Sequence, residues 1–214
     1  MKEHHEKLRV KWATERMTWK ERKCNSVVWS DEKKFNLDGP DELAYKWHDL
    51  RKQKKWFSKR HSGGASVMVW ACFAGTSKSP LVFLGGKQDG TKYVTFEDTL
   101  LPFAEDLPLS WGFMQDGAPC HRARVAKRWL FDNFISVLEW PPYSPDLNAI
   151  ENLWGILVTS VYSHQRQFNG VDSLSECIRD AWDEINNETL DALVKSMQKR
   201  CVEVLLTKGK KIDY

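Results

Sequence analysis

Asp31, Asp116 and Glu151 are the residues of this 214-residue chain whose types and placing could do chemistry. Asp31 follows the apolar run 26–30, and Asp116 follows the run 111–115. Both runs are rich in β-formers and read as buried strands, so each aspartate stands at the carboxyl end of a strand. Glu151 shares a helical period with Leu147, Ile150, Trp154, Leu157, Val158 and Val161, which puts it on an apolar face. A carboxylate there is paired, protonated or bound to a metal. Three acids brought together in a low dielectric repel one another and raise each other's pKa. A divalent cation removes that penalty. Mg2+ is a hard ion suited to carboxylates, water and phosphate oxygens. Two such ions about 4 Å apart can activate an attacking hydroxyl and stabilise a leaving oxygen at a phosphodiester. Plainer readings stay open at this point. A strand-end aspartate commonly serves a turn, and a glutamate on an apolar face can be half of a structural pair.

The elements that must position these acids follow from the pattern. A charged helix is expected over about residues 4–20, with Leu8, Trp12 and Trp19 on one side. Residues 26–30 and 35–37 read as two strands, and 38–40 as a turn. Residues 66–73 and 81–84 read as a hairpin across a turn at 75–80. A helical pattern over 91–106 is broken late by Pro102. After the strand 111–115, a helix carries Val125, Ala126, Trp129 and Leu130 inward and Arg122, Arg124, Lys127 and Arg128 outward. A strand at 135–140 leads over a proline corner to Ser144, a suitable N-cap, and Pro145, suited to the first position of the glutamate-bearing helix. Asp146 then favours that helix's dipole. Two further helices follow residue 170, the first with Ser173 and Glu176 as a capping box. Residues 208–214 read as a frayed end. Strands first, then alternating helix and strand, then helices, predict a mixed α/β sheet covered by helices. In such sheets, sites form outside the carboxyl ends of strands, where the three acids can meet.

Charge adds a second theme. Residues 46–61 hold Lys46, Arg51, Lys52, Lys54, Lys55, Lys59 and Arg60 against one acid, Asp49, so this segment carries +6 in a chain whose net charge is +3. Trp47, Trp56 and Phe57 are interleaved with them. Cations mixed with aromatics suit phosphate contact and base stacking, so Lys46, Arg51, Lys52, Lys54, Lys55, Trp56, Lys59 and Arg60 are candidates for DNA binding. His121 and Arg122, just past Asp116, join them, and His121 is also placed to orient an acid. Five scattered cysteines with no C-x-x-C pair speak against a zinc site or disulfide frame and suit a reducing compartment. No apolar run of membrane-spanning length and no signal peptide are present. Glu32 falls on the opposite side of its strand from Asp31 and reads as structural.

The segments 28–35 (VWSDEKKF), 113–121 (FMQDGAPCH) and 140–154 (WPPYSPDLNAIENLW) resemble the three signature blocks of mariner-type transposases, the Tc/mariner superfamily. The 34 residues between Asp116 and Glu151 match the spacing of one large branch of that superfamily. The resemblance runs from about residue 5 to the C-terminus. It implies an RNase H-like fold: a mixed five-stranded sheet flanked by helices, with a basic clamp-loop insertion at 46–61 and C-terminal helices. Residues 1–25 would lead into the domain and 26–214 would form it. It implies that Asp31, Asp116 and Glu151 form the catalytic Asp-Asp-Glu set and bind two Mg2+ or Mn2+ ions. The implied reaction is cleavage of phosphodiesters at transposon ends, followed by joining of the 3′-hydroxyl to target DNA at a TA site. Partners would be DNA and a second copy of the chain, in the nucleus, with no membrane and no small-molecule substrate. Two departures stand out: Gly117 where the family has Asn, and Ala149 where it has Pro. The family's two N-terminal helix-turn-helix modules are also expected to be missing. The alternative implied by that last departure is a catalytically silent DNA-binding protein that keeps the fold.

Overall fold

A computed structural model describes residues 1–40, 65–85, 97–107 and 110–213. Its sheet is built around β1 (Val27–Asn36). On one side β1 pairs antiparallel with β2 (Ser66–Ala74), in register from Trp29 opposite Phe73 to Asn36 opposite Ser66. On the other it pairs in parallel with β5 (Gly112–Met114), only from Val27 to Trp29. The short β3 (Ser77–Lys78) and β4 (Val82–Leu84) both fold back onto β2, at opposite ends of it. The result is a mixed five-stranded sheet with the core order β3-β2-β1-β5. Beyond Trp29, therefore, β1 keeps its β2 partner while β5 has ended.

Period-two alternation along β1 and β2 sends apolar side chains to both faces. Val27, Trp29, Phe35, Val69, Ala71 and Phe73 meet α1 (Glu3–Arg16), α5 (Ala149–Val161), α6 (Val171–Asp183) and α7 (Asn187–Leu206). Val28, Trp70, Cys72 and Phe113 meet α3 (Glu97–Glu105) and α4 (Arg124–Asp132). A short α2 (Glu21–Asn25) leads into β1. The helix layers on both faces leave Trp29, Trp70, Trp154 and Trp182 almost wholly buried. Each such ring removes on the order of 150–250 Å2 from water, and together they dominate the core.

Several expectations are corrected. Residues 26–30 and 35–37 are one strand, not two, because β2 pairs with the charged run 31–34 without interruption. Residues 135–140 contribute a single parallel bridge, Val137 to Phe113, rather than a strand. Helix α3 continues through Pro102 to Glu105, at the cost of one bond to its preceding turn. In α1, which ends at Arg16, Leu8 is exposed and Arg9 is the buried residue beside Trp12. Val125 of α4 is likewise exposed. Helix α6 starts after Gly170, and Ser173 Oγ bonds back to the Gly170 carbonyl instead of forming a capping box.

Residues 208–213, expected to fray, are docked by contacts of Gly209, Lys210 and Ile212. Gly209 adopts φ +86° and lies so close to α1 that a Cβ there would collide with the Glu6 carbonyl. Ile212 is buried in the core. No helix among the described residues is long and apolar enough to cross a membrane. The basic segment 46–61 lies outside the described residues.

Candidate active site

Three segments are stitched together where β5 stops. Ser30 Oγ, beside Asp31, donates to the Met114 carbonyl at 2.8 Å and so fixes the register of β1 against the segment that leads to Asp116. Asn148 Nδ2 donates to the Ser30 carbonyl at 3.3 Å. Asn148 is also the N-cap of α5, its Oδ1 accepting from the Ile150 N–H. Helix α5 therefore begins at Ala149, not at Pro145 as the proline corner predicts. Residues 145–147 form a separate 3-10 turn, with Ser144 bonded back to the Pro142 carbonyl. Glu151 stands in the first turn of α5, where the helix dipole favours a carboxylate. It is half-buried at the margin of the apolar face, while Ile150, Leu153, Trp154 and Leu157 fill the core.

Asp31, Asp116 and Glu151 line one cavity of about 590 Å3, together with Arg122, Asn148 and the corner 140–145. Asp31 lies mid-strand in β1, opposite Ala71, rather than at a strand end. What the sequence reads as a strand terminus is the point where the parallel neighbour ends. Burial, with Glu151 and then Glu32 adding like charge, holds the Asp31 carboxyl well above the usual carboxylate range. Asp116 is exposed and behaves oppositely. Its Oδ1 accepts from His121 Nδ1 at 2.7 Å and from the Ala118 N–H at 2.9 Å, and the His121 bond above all lowers its pKa. His121 itself is buried. Burial opposes its charge, but the bond to Asp116 and the nearby Glu32, 3.5 Å from Nε2, outweigh this and push it up to about 10. It is an imidazolium at neutral pH, sandwiched between two acids. Glu32, on the other side of β1, thus supports Asp116 through His121.

The donor set fits a hard divalent cation: three carboxylates, one of them carrying an unfavourable charge that a cation would relieve. Among the described residues, no group of three His, Cys, Asp or Glu side chains is drawn together tightly enough to hold an ion as it stands. Asp116 is committed to His121 and Ala118 instead. Glu151 also borders a neighbouring cavity of about 860 Å3, lined by Lys33, Lys34, Asn152, Gly155 and Thr159.

Of the predicted DNA contacts, Arg122 is exposed at the cavity rim, and His121 lies behind Asp116, away from the surface. Lys46, Arg51, Lys52, Lys54, Lys55, Trp56, Lys59 and Arg60 fall outside the described residues. Ser30 and Asn148 are absent from the sequence-based set of candidates. Asn148 was legible in principle, since Asn three residues before a Glu is an N-terminal helix signature.

Residues 26–175 match the family described as DDE superfamily endonuclease. The Tc3 transposase of Caenorhabditis elegans is 42% identical over 192 residues, an overlap of 89% of this chain and 58% of the relative. The Tcb1 transposase of Caenorhabditis briggsae is 34% identical over 219 residues, covering 97% of this chain and 77% of its own length. Among solved structures, the Mos1 transposase paired-end complex with left transposon end superimposes with a TM-score of 0.84 at 17% identity, over 100% of this chain and 65% of that one. The Mos1 transposase catalytic domain, solved with raltegravir and Mn, gives 0.77 at 16% identity over 100% of this chain and 98% of that one. The chain thus spans less than two thirds of the Tc3 relative and of the full Mos1 chain. The matched region contains all three acids and the segments that bring them to one cavity, and the chain belongs to the DDE superfamily endonucleases, in the group of Tc/mariner-type transposases.

Proposed function

We propose that this chain is the metal-dependent catalytic part of a DNA transposase, which cleaves phosphodiesters at transposon ends and joins the 3′-hydroxyl to target DNA at a TA site. The observation that carries this reading is the convergence of Asp31, Asp116 and Glu151 on one cavity, on the fold of the Mos1 catalytic domain. Asp31, Asp116 and Glu151 would hold two Mg2+ or Mn2+ ions. Such ions, when bound, supply positive charge to the attacking and leaving oxygens. Relatives of known structure contain Mn or Mg and transposon ends, which supports the same cation class and substrate here.

The chain's own residues do the rest. His121 keeps Asp116 ionised and aimed. Asn148 and Ser30 hold the three segments in one frame. Arg122 meets a phosphate at the rim, where a bidentate guanidinium suits phosphate geometry. The paired ends of the Mos1 complexes support a homodimer on DNA. A substrate in chromosomal DNA places the work in the nucleus.

The test is cleavage of a pre-nicked DNA end with Mg2+ or Mn2+, comparing the unaltered chain with Asp116→Asn, Glu151→Gln and Asp31→Asn. Activity is expected to vanish in each variant. Equal activity in all four proteins would overturn the catalytic reading.

The basic segment makes a separate prediction. Replacing Lys54, Lys55, Lys59 and Arg60 with Gln is expected to weaken DNA binding and flatten its salt dependence. Each lost phosphate contact on duplex DNA removes about 0.9 from the slope of log K against log salt. Fluorescence anisotropy between low and moderate salt measures the slope, and an unchanged slope would mean that these side chains do not touch phosphate.

A further inference from the structure

Asp146 reads in the sequence as an ordinary first-turn acid, but the structure gives it a different place. It is buried, and its carboxylate makes a two-pronged bond to the fully buried Arg9 guanidinium, at 2.7 and 2.6 Å. The Ile212 N–H donates to the same carboxylate at 2.8 Å, and Arg200 donates to the Asp146 carbonyl at 2.9 Å. Arg9 also donates to the Gly209 and Lys210 carbonyls. The 3-10 turn Pro145–Leu147 is thereby held from α1, from α7 and from the docked C-terminal segment at once.

A buried ion pair is a weak source of stability, because desolvation offsets most of its attraction. What a two-pronged pair supplies is direction. Asp146 is two residues before Asn148, which caps α5 and bonds the carbonyl next to Asp31. Any shift of the 3-10 turn moves Asn148, and with it the first turn of α5 that carries Glu151.

We propose that the Arg9–Asp146 pair is a positioning device that sets Glu151 against Asp31, and so tunes the divalent-cation affinity of a site that it does not touch. This rests on the metal-dependent reading above. Groups that hydrogen-bond a metal ligand directly commonly change metal affinity roughly 10–100-fold when altered, and a pair acting through Asn148 and Ser30 is expected at the lower end of that range.

The test is Mn2+ titration of the full chain, read by the EPR signal of free Mn2+, alongside thermal melting. Arg9→Lys keeps the charge but loses the planar fork. It is expected to weaken Mn2+ binding several-fold, up to roughly tenfold. Asp146→Asn should do at least as much, and should it fail to fold, Arg9→Met combined with Asp146→Leu supplies an uncharged pair that such sites tolerate. The double variant leaves no unpaired buried charge and is expected to fold, with a lower melting temperature because the Ile212 N–H and the Gly209 carbonyl lose their partners, and it is not expected to regain Mn2+ affinity. Leu190→Ala is the reference: Leu190 is buried on α7, ten residues before Arg200 and so about 15 Å along the axis. It should lower the melting temperature and leave Mn2+ affinity unchanged. Affinity within twofold of the parent in Arg9→Lys, or recovery of affinity in the double variant, would overturn the positioning role while leaving the catalytic reading intact. No difference in Mn2+ binding between the parent and Glu151→Gln would overturn both.

Discussion

Asp31→Asn is expected to abolish strand cleavage and, in the absence of metal, to raise the melting temperature of the protein at neutral pH. The loss of activity follows from removing a ligand of the proposed cation site. Stabilisation of transition-state charge by a metal is worth several kcal/mol, and about 4 kcal/mol corresponds to a loss on the order of 10^3-fold. The gain in stability follows from the acids themselves. Burial and the neighbouring Glu151, Glu32 and Asp116 raise the Asp31 pKa above its value in the unfolded chain. A folded-state pKa raised in this way favours the fold fully below the unfolded value, near 3.9. That contribution is lost as pH rises through the raised, folded value. At neutral pH and above, an ionised Asp31 therefore weakens the metal-free fold, and the neutral amide does not. Each kcal/mol relieved shifts the melting temperature by roughly 2–4 °C at this chain length.

The difference between variant and parent should shrink in acid, where the parent's Asp31 is already protonated. It should reverse with saturating Mn2+, since ligand at a hundred times its Kd stabilises the parent alone by about 2.7 kcal/mol. Mn2+ affinity of the parent should in turn rise with pH, because the ligand must lose its proton first. Differential scanning calorimetry across pH, with and without Mn2+, checks all of this. A metal-free variant that melts below its parent at pH 8 would show that the acids do not repel one another.

Trp154→Ala is expected to cost about 3–5 kcal/mol, the range for deleting a buried aromatic ring. That is a large share of the 5–15 kcal/mol that holds an ordinary domain together. Trp154 lies one turn after Glu151, has no exposed surface, and packs with a ring-centroid distance of 5.7 Å on Trp182 of α6. Trp182 in turn donates from Nε1 to the Ser79 carbonyl beyond β3. The two rings therefore tie the glutamate-bearing helix to α6, and α6 in turn to the hairpin side of the sheet. A fall in melting temperature of roughly 6–20 °C is expected by circular dichroism. Trp154→Phe should be much milder, since Trp154 Nε1 is buried with no hydrogen-bond partner among the described residues and its removal costs no bond. Equal losses in the two variants would mean that the indole's extra volume and not its aromatic contact holds the helix.

The sequence makes the sheet and its helices legible because both are written in local periodicity. Val27, Trp29, Val67 and Val69 alternate as strand residues must, and Leu174, Ile178 and Trp182 recur as helix residues must. Family resemblance singles out the three acids. What periodicity cannot carry is contact between distant segments. The charged run 31–34 looks like a break in β1 because its hydrogen bonds to β2 leave no trace in local hydrophobicity. Ser144 looks like a better helix cap than Asn148 because the proline beside it imitates a first helical position. Arg9 and Asp146 are 137 residues apart, and each looks like a surface charge until the fold buries both. His121 is the intermediate case: its nearness to Asp116 in sequence suggests an orienting role, while the partnership with Glu32 requires the fold.

Gly209 gives the docked end of the chain a consequence for how such a gene wears out. With its close approach to Glu6 and its carbonyl bonded to Arg9, residue 209 tolerates no side chain. A stop or frameshift just after Leu206 leaves Asp31, Asp116 and Glu151 untouched in the reading frame. It would nevertheless remove Gly209, Lys210 and Ile212, three of the groups that hold Arg9 and Asp146. Loss of residues 207–212 is therefore expected to weaken the site even where all three acids remain, and an intact set of acids in a related gene is not sufficient grounds to count that gene as functional.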